Sequence, residues 1–436
     1  MTRDNDIAVR APARLRAARA FLAIGLLAGG GCASMGGAAP TGSKEKPSSD
    51  EQKSMTSMGE KVKGKIVWSS SRNGNHDLFV MDTDGSNVHP ITSGEQVDWF
   101  PRFSPDGSKV LFCRSKKGWV SERDANDSDK WDLYTISPEG GEATKVVENA
   151  SWGSWIGASE IVFVRGTKIF KTKLGSDKEV ELMDSTGVSD LDGALLQQPE
   201  MSHDGKYIAI TLRGSKRETG IWDIKKKTWL KTGLGCQINW TADGNSIFWV
   251  NPTGNGGSEI FREPMKDGKP AKQLSDDDLK FMDMPGRRSH EYFPQFSSDG
   301  KYLVWGITQR GHDHDIADYE IYLWEVGTPA ESAARLTFHS GNDRWPDIFI
   351  PAAVASAAGQ KAAGDEGGKA APAGAPGAGK AEAKAEAKTE GKTDGTSAKN
   401  ETTAATADSS DDDKSATATH KSKKSKKASS RKHKKS

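Results

Sequence analysis

The segment Gly311-His-Asp-His-Asp315 has the residue types of a metal site. His312 and His314 alternate along the chain, so on a strand their side chains would lie on the same face. With a further histidine from a neighbouring loop, such as His290 or His339, they could bind a divalent transition metal. The alternative is a solvated His-Asp loop that binds no metal.

Motifs for other chemistry are absent from the sequence. It contains no Gly-x-Ser-x-Gly nucleophile elbow and no Gly-x-x-x-x-Gly-Lys-Ser/Thr phosphate loop. Its three cysteines, Cys32, Cys113 and Cys236, are too few for a disulfide-based small domain. We therefore expect no cofactor other than the metal considered above, and we expect Cys113 and Cys236 to be buried, unpaired thiols.

Composition restricts folding to the middle of the chain. Of the 13 Trp, 14 Phe and 6 Tyr, all but Phe21 lie between Trp68 and Phe349. Residues 352–436 are rich in Ala, Gly and Lys and lack aromatics, so they cannot bury enough apolar surface to fold. The net charge of +1 combines this basic tail with a mildly acidic remainder, which argues against nucleic-acid binding.

The middle of the chain repeats with a period near fifty residues. Phe100-Pro-Arg-Phe-Ser-Pro-Asp-Gly-Ser-Lys109 returns as Gln198-Pro-Glu-Met-Ser-His-Asp-Gly-Lys206 and as Phe293-Pro-Gln-Phe-Ser-Ser-Asp-Gly-Lys301. Each copy predicts two strands joined by a tight turn in which Asp-Gly supplies a positive φ. Four antiparallel strands in about fifty residues is the size of a propeller blade. We predict an all-β, six-bladed β-propeller over 64–351, flanked by disordered termini.

The ends of the repeat region predict how the ring closes. The first unit starts at Lys65-Ile-Val-Trp68, which matches a second strand, and Asn342–Ile350 matches the first strand that this unit lacks. If the C-terminal strand joins blade 1, the ring closes and no sheet edge stays open.

These motifs resemble the β-propeller repeat (PD40, WD40-like) of the TolB family. The similarity covers about 65–350. TolB itself has an α/β domain before its propeller, and here we expect none, because only about thirty tether residues intervene. The alternative is a WD-repeat propeller, although Trp131-Asp132 and Trp222-Asp223 lack the preceding Gly-His element. The resemblance implies a non-catalytic binding protein that acts as a monomer on a protein or peptide, by analogy a peptidoglycan-associated lipoprotein.

Propeller topology predicts which loops bind. Loops entering strand one and loops between strands two and three share one face, the loop face, and the Asp-Gly turns lie on the opposite turn face. We expect a polar rim on the loop face that binds a partner and consists of Asp98, Trp99, Gln197, Gln198, His290, Glu291, Arg310, Asp343 and Arg344. For any one of these residues, the alternative is that its side chain hydrogen-bonds to the backbone of a neighbouring loop and only holds the start of the strand in place. The competing function is a metal-dependent propeller enzyme, a lyase or hydrolase acting on an acidic saccharide.

The N-terminus has the pattern of a secretory signal. Five arginines precede a short apolar run at 20–28, which is too short to span a bilayer, and Gly29-Gly-Gly-Cys32 follows. This ending resembles a bacterial lipoprotein signal, so we expect a signal peptide at 1–31, lipidation of Cys32 and a flexible tether at 32–63. The alternative is cleavage near Ala38-Ala39. The protein would then lie in the cell envelope, anchored by lipid and facing the periplasm, with the outer membrane favoured.

The last residues of the tail are basic. Residues 421–436 include many Lys and Arg and no acidic residue. Behind a secretion signal, such a tail would contact cell-wall polyanions or anionic lipid in a salt-sensitive manner. The alternative is a tail that only increases solubility.

Overall fold

The structure is a computed structural model that describes residues 45–253, 257–286, 290–309 and 313–351. The predicted signal peptide, Cys32 and the tail at 352–436 lie outside the described residues, as do Arg310 and His312. Neither α-helix in the described ranges is long and apolar enough to cross a membrane.

The described strands form six antiparallel blades, which confirms the predicted propeller. Blades 5 and 6 are joined into one sheet by a parallel pairing of Ser258 with His290. In order from strand one to strand four, blade 1 consists of Asp343–Phe349, Lys65–Ser70, Asp77–Asp82 and His89–Pro90. Blade 2 consists of Asp98–Phe103, Val110–Ser115, Trp131–Ile136 and Thr144–Val147. Blade 3 consists of Ser151–Trp155, Glu160–Arg165, Lys168–Lys173 and Glu179–Asp184.

The remaining blades follow the same order. Blade 4 consists of Leu195–Met201, Tyr207–Arg213, Glu218–Asp223 and Thr228–Gly233. Blade 5 consists of Cys236–Trp240, Ser246–Pro252, Ser258–Lys266 and Lys280–Met282, with Lys269–Pro270 paired to the end of its third strand. Blade 6 consists of His290–Phe296, Tyr302–Thr308, Glu320–Glu325 and Ala334–Arg335. Short helices lie at Asp276–Leu279, Glu122–Asp124, Ser128–Lys130, Ser185–Gly187 and Ala330–Ser332.

The ring closes through blade 1, as the sequence predicts. Asp343–Phe349 pairs antiparallel with Lys65–Ser70, so the last described strand is the innermost strand of the first blade. The Asp-Gly turns also form as expected, with φ of 69° at Gly107 and 70° at Gly205. The aspartate has a further role, because the Asp106 carboxylate accepts hydrogen bonds from the Ser104 hydroxyl and the Ser108 amide.

The expectation of a flexible tether over the whole of 32–63 is wrong for its second half. Helix α1 (Ser49–Lys61) begins at a capping box in which Ser48 and Glu51 bond reciprocally. Met55 and Met58 are buried in an apolar cluster formed by blades 1 and 6. The two methionines supply the apolar contact that holds this helix on the propeller.

Helix α1 runs along the outside of the propeller from the loop face to the turn face. Near its start, the Glu45 amide donates to the Phe338 carbonyl at 2.8 Å, where strand four of blade 6 reaches the loop face. Near its end, Lys61 pairs with Glu325 at 2.6 Å, where strand three of that blade reaches the turn face. The chain then enters blade 1.

Candidate functional site at the channel mouth

Strand one of every blade contains the same backbone irregularity. One non-glycine residue per blade has a positive φ of 53–61°, and each lies where the pairing with strand two shifts register. These residues are Phe100, Trp152, Gln198, Gln237, Phe293 and Trp345. In four blades a proline follows, which suits a bulge because proline has no amide hydrogen to leave unpaired.

The six bulge residues divide the centre of the ring into an aromatic part and an amide part. Phe100, Trp152, Phe293 and Trp345 are at most 1% exposed, with ring centroids 4.3–5.5 Å apart for their contacting pairs. They fill the channel on the side of blades 1, 2, 3 and 6.

The glutamines of blades 4 and 5 link neighbouring blades by hydrogen bonds. The Gln198 side-chain oxygen accepts a hydrogen bond of 3.0 Å from the backbone amide of Gln237. The Gln237 side-chain oxygen in turn accepts a hydrogen bond of 2.6 Å from the backbone amide of Phe293. Because the acceptor of the Phe293 amide must be the side-chain oxygen, the Gln237 amide group has one orientation, and its Nε2 group points the other way as a hydrogen-bond donor.

A buried ion-pair cluster holds two long loops together at the channel mouth. Glu122, from the loop between strands two and three of blade 2, accepts from Arg344 Nη1 at 2.9 Å and from Trp345 Nε1 at 2.8 Å. Its other oxygen lies 2.6 Å from His314 Nδ1, in the corresponding loop of blade 6. Asp315 also pairs with Arg344, at 3.1 Å. Sequence reasoning missed Glu122 because no local motif marks it.

An open cavity of about 1080 Å³ lies on the loop face beside this cluster. Blades 4 and 5 supply one wall, which includes Gln198, Arg213 and Gln237, and the loops at 122–126 and 313–317 supply the other. Of the predicted site residues, Gln197, Gln198 and His314 line the cavity.

Several of the predicted rim residues are buried in the blade framework instead of exposed on a rim. Asp98 is 1% exposed and forms two hydrogen bonds of 2.7 Å with Arg114. Asp343 is fully buried and pairs with Arg72 at 2.7 Å. Burial raises the pKa of the Asp98 carboxyl, although Arg114 opposes the shift. These contacts match the structural alternative in which the acid fixes the strand entry.

The other rim residues occupy varied positions. Trp99 is fully buried and packs edge-on against Trp131 and Trp152, at 5.3 and 4.4 Å between centroids. Glu291 is also fully buried and accepts the Met284 amide at 2.9 Å, and burial raises its pKa to about 8. His290 is partly buried at the start of strand one of blade 6.

The described residues do not bring the predicted metal ligands together. No group of three or more His, Cys, Asp or Glu side chains within the described ranges is arranged to hold a metal ion. His314 contacts Glu122 and packs against the rings of Phe293 and Tyr292, at 4.8 and 5.2 Å. Its role in the described part is to join the two loops.

Cys113 and Cys236 are buried and unpaired, as predicted. The Cys113 sulfur accepts the Trp152 amide at 3.2 Å, so it stabilises the bulge of the next blade. Burial raises the pKa of Cys113 to about 12, so this thiol is not a nucleophile at neutral pH.

The six blades define a β-propeller protein, and part of its repeat is similar in sequence to TolB. The Tol-Pal system protein TolB of Geobacter sulfurreducens is 35% identical over 63 residues, which is 14% of this chain and 15% of that protein. An uncharacterised protein of Agrobacterium fabrum is 45% identical over 47 residues, 11% of this chain and 16% of that protein. The matches thus span about one sixth of these relatives.

A solved structure also aligns with part of the chain. TolB from Acinetobacter baumannii aligns with a TM-score of 0.47 and 14% identity, covering 65% of this chain and 66% of that one. No protein-family model matches the sequence.

Proposed function

We propose that the protein is a non-catalytic binding or scaffold protein of the bacterial cell envelope, which recognises a protein or peptide on its loop face. The observation that carries the proposal is the open cavity of about 1080 Å³ beside a channel that aromatic side chains fill. Because aromatic side chains fill the channel, a segment of a partner would bind in the cavity beside it and not in the channel. Propeller loops on one face are a common place for such sites.

The envelope location rests on the N-terminal signal pattern and on the TolB-like repeat. We propose that Cys32 carries the lipid anchor and that the propeller faces the periplasm, with the outer membrane as the favoured site. A peptidoglycan-associated lipoprotein is the partner that the TolB resemblance implies. The basic residues at 421–436 would add salt-sensitive contact with envelope polyanions.

The test uses exposed residues, because replacing the buried Asp343 or Arg344 would disturb the blades themselves. Leu234 and Ile316 line the cavity and are 63% and 80% exposed. The full-length protein and the L234D/I316D variant are used for affinity capture from crosslinked native envelopes, followed by mass spectrometry. The matched control is V88D/V180D, which alters two exposed apolar residues elsewhere, at 42% and 39% exposure.

We expect a partner that is captured by the wild type and the control but lost from L234D/I316D. Identical proteins captured by all three forms would contradict binding at the loop face.

A further inference from the structure

The wall of the cavity formed by blades 4 and 5 carries arginines that no described carboxylate neutralises. Arg213 Nη1 donates to the carbonyl oxygens of Leu212 and Gly235, at 2.9 and 3.4 Å. Neither Arg213 nor Arg217 forms an ion pair with a carboxylate among the residues that the structure describes. Their positive charge is therefore available to the cavity.

Strand one of blade 4 supplies no acid to Arg213, in contrast to the acids at the start of strand one in blades 1 and 2. In blades 1 and 2, strand one begins with Asp343 and Asp98, and each pairs with an arginine at or just beyond the end of strand two. In blade 4 the corresponding position, three residues before the proline, is Leu196, whose register partner is Leu212. Arg213 is the register partner of Leu195, so strand one places no carboxylate opposite it.

Gln237 adds a donor that is oriented and unused. Its residue is only 5% exposed, yet it lines the cavity. Its side-chain oxygen is occupied by the Phe293 amide, and its Nε2 group has no hydrogen-bond partner in the described part of the chain. A buried amide donor without a partner carries a free-energy cost that a bound acceptor would remove.

The carboxylates on the opposite wall form ion pairs with arginines other than Arg213 and Arg217. Glu122 and Asp315 both pair with Arg344, and Asp313 pairs with Arg123 at 2.5 Å. Two apolar side chains, Leu234 and Ile316, lie at the same cavity and are largely exposed. The cavity therefore combines unpaired cationic and amide donors with exposed apolar surface.

We propose that this wall binds a carboxylate of a peptide, with Arg213 and Arg217 as ion-pair partners and Gln237 Nε2 as a hydrogen-bond donor. Leu234 and Ile316 contact an apolar side chain next to that carboxylate. This inference rests on the proposed function, since it specifies the ligand of the same site. The carboxylate is either a C-terminus or an Asp or Glu side chain, because both have the same recognition chemistry.

The test is selection from randomised short-peptide libraries with the full-length protein. The libraries have either a free or an amidated C-terminus, and either contain Asp and Glu or replace them by Asn and Gln. The R213Q/R217Q variant is compared with K225Q/K227Q, which removes two exposed charges from the same blade on the turn face. Thermal unfolding of all forms checks the fold.

We expect the wild type and K225Q/K227Q to enrich carboxylate-bearing peptides at least about tenfold over their neutral counterparts. This preference should disappear in R213Q/R217Q and weaken with added salt. Enrichment that requires a free C-terminus identifies the C-terminal carboxylate as the ligand, and enrichment that requires Asp or Glu identifies a side-chain carboxylate. If R213Q/R217Q fails to fold, R217Q alone changes only an exposed residue, and we expect about a threefold loss of preference.

The other outcomes separate this inference from the proposed function. Peptides that bind equally well without a carboxylate, or equally well to R213Q/R217Q, would overturn the inference and leave peptide binding intact. If no peptide is enriched by the wild type, both fail. Binding of a uronic-acid oligosaccharide in place of peptides would overturn the peptide as the source of the carboxylate.

Discussion

Glu122 and Arg344 form a buried ion pair of 2.9 Å between residues that are 222 positions apart in the sequence. The pair joins the long loop of blade 2 to the strand that closes the ring in blade 1. His314 and Trp345 contact the same carboxylate, so the closing strand and both long loops share one charged group. The shape of the cavity therefore depends on the closure of the ring.

Replacing Glu122 by Ala should destabilise the protein strongly. Arg344 is fully buried, and the substitution removes one of its two carboxylate partners. We expect the free energy of unfolding to fall by about 3 kcal/mol, measured by urea denaturation. The control, Glu142→Ala, changes an exposed residue and should cost less than about 0.5 kcal/mol. Equal effects of the two substitutions would contradict this role of Glu122.

The Gln237→Leu substitution tests the amide link between blades 5 and 6. It removes the oxygen that accepts the Phe293 amide, and it leaves that buried donor without a partner. We expect a loss of about 2 kcal/mol in the free energy of unfolding. Gln273→Leu, at an exposed position, serves as the control. A variant at Gln237 as stable as the wild type would show that the link contributes nothing.

Glu291 should make stability depend on pH. Burial raises its folded pKa from 4.5 to about 8, so the folded state holds a proton that the unfolded state releases between these values. Stability therefore falls as pH rises through this window, by about 3 kcal/mol between about pH 5 and about pH 8. In Glu291→Gln this part of the slope should vanish, as measured by denaturation at a series of pH values. The exposed control Glu331→Gln should retain the wild-type slope, and the same slope in Glu291→Gln would disprove the assignment.

The docking of helix α1 can be tested through its two buried methionines. We expect Met55→Ala and Met58→Ala each to cost about 2 kcal/mol, because each leaves a cavity between the helix and the propeller. Limited proteolysis should then cut within Ser49–Lys61 faster than in the wild type. Ser57→Ala, on the exposed side of the helix, should leave the cleavage rate unchanged.

The repeat made the fold predictable, whereas the site depends on contacts between distant residues. Periodic Asp-Gly turns and an incomplete first unit were enough to predict the blades and the closing strand. Because the residues at the strand entries are polar, the sequence favoured the prediction that they form an exposed rim. However, Asp98 and Asp343 pair with arginines that only the strand register brings opposite them.

Two other features were hard to predict from the sequence, for different reasons. Glu122 acts through Arg344 and His314, which are far away along the chain. The amphipathic character of α1 is weak, because only a few of its residues are buried. Its capping pair Ser48 and Glu51 was the one local signal that could have indicated a helix in the predicted tether.

The path of helix α1 places the start of the described chain on the same face as the cavity. The described chain starts at Glu45 on the loop face, and the residues between Cys32 and Glu45 can span at most about 45 Å. If Cys32 carries the proposed lipid, the cavity would lie within reach of partners attached to the same membrane. Strand one of blade 1 ends at Phe349 on the turn face, so the described chain enters on the side of the cavity and leaves on the opposite side.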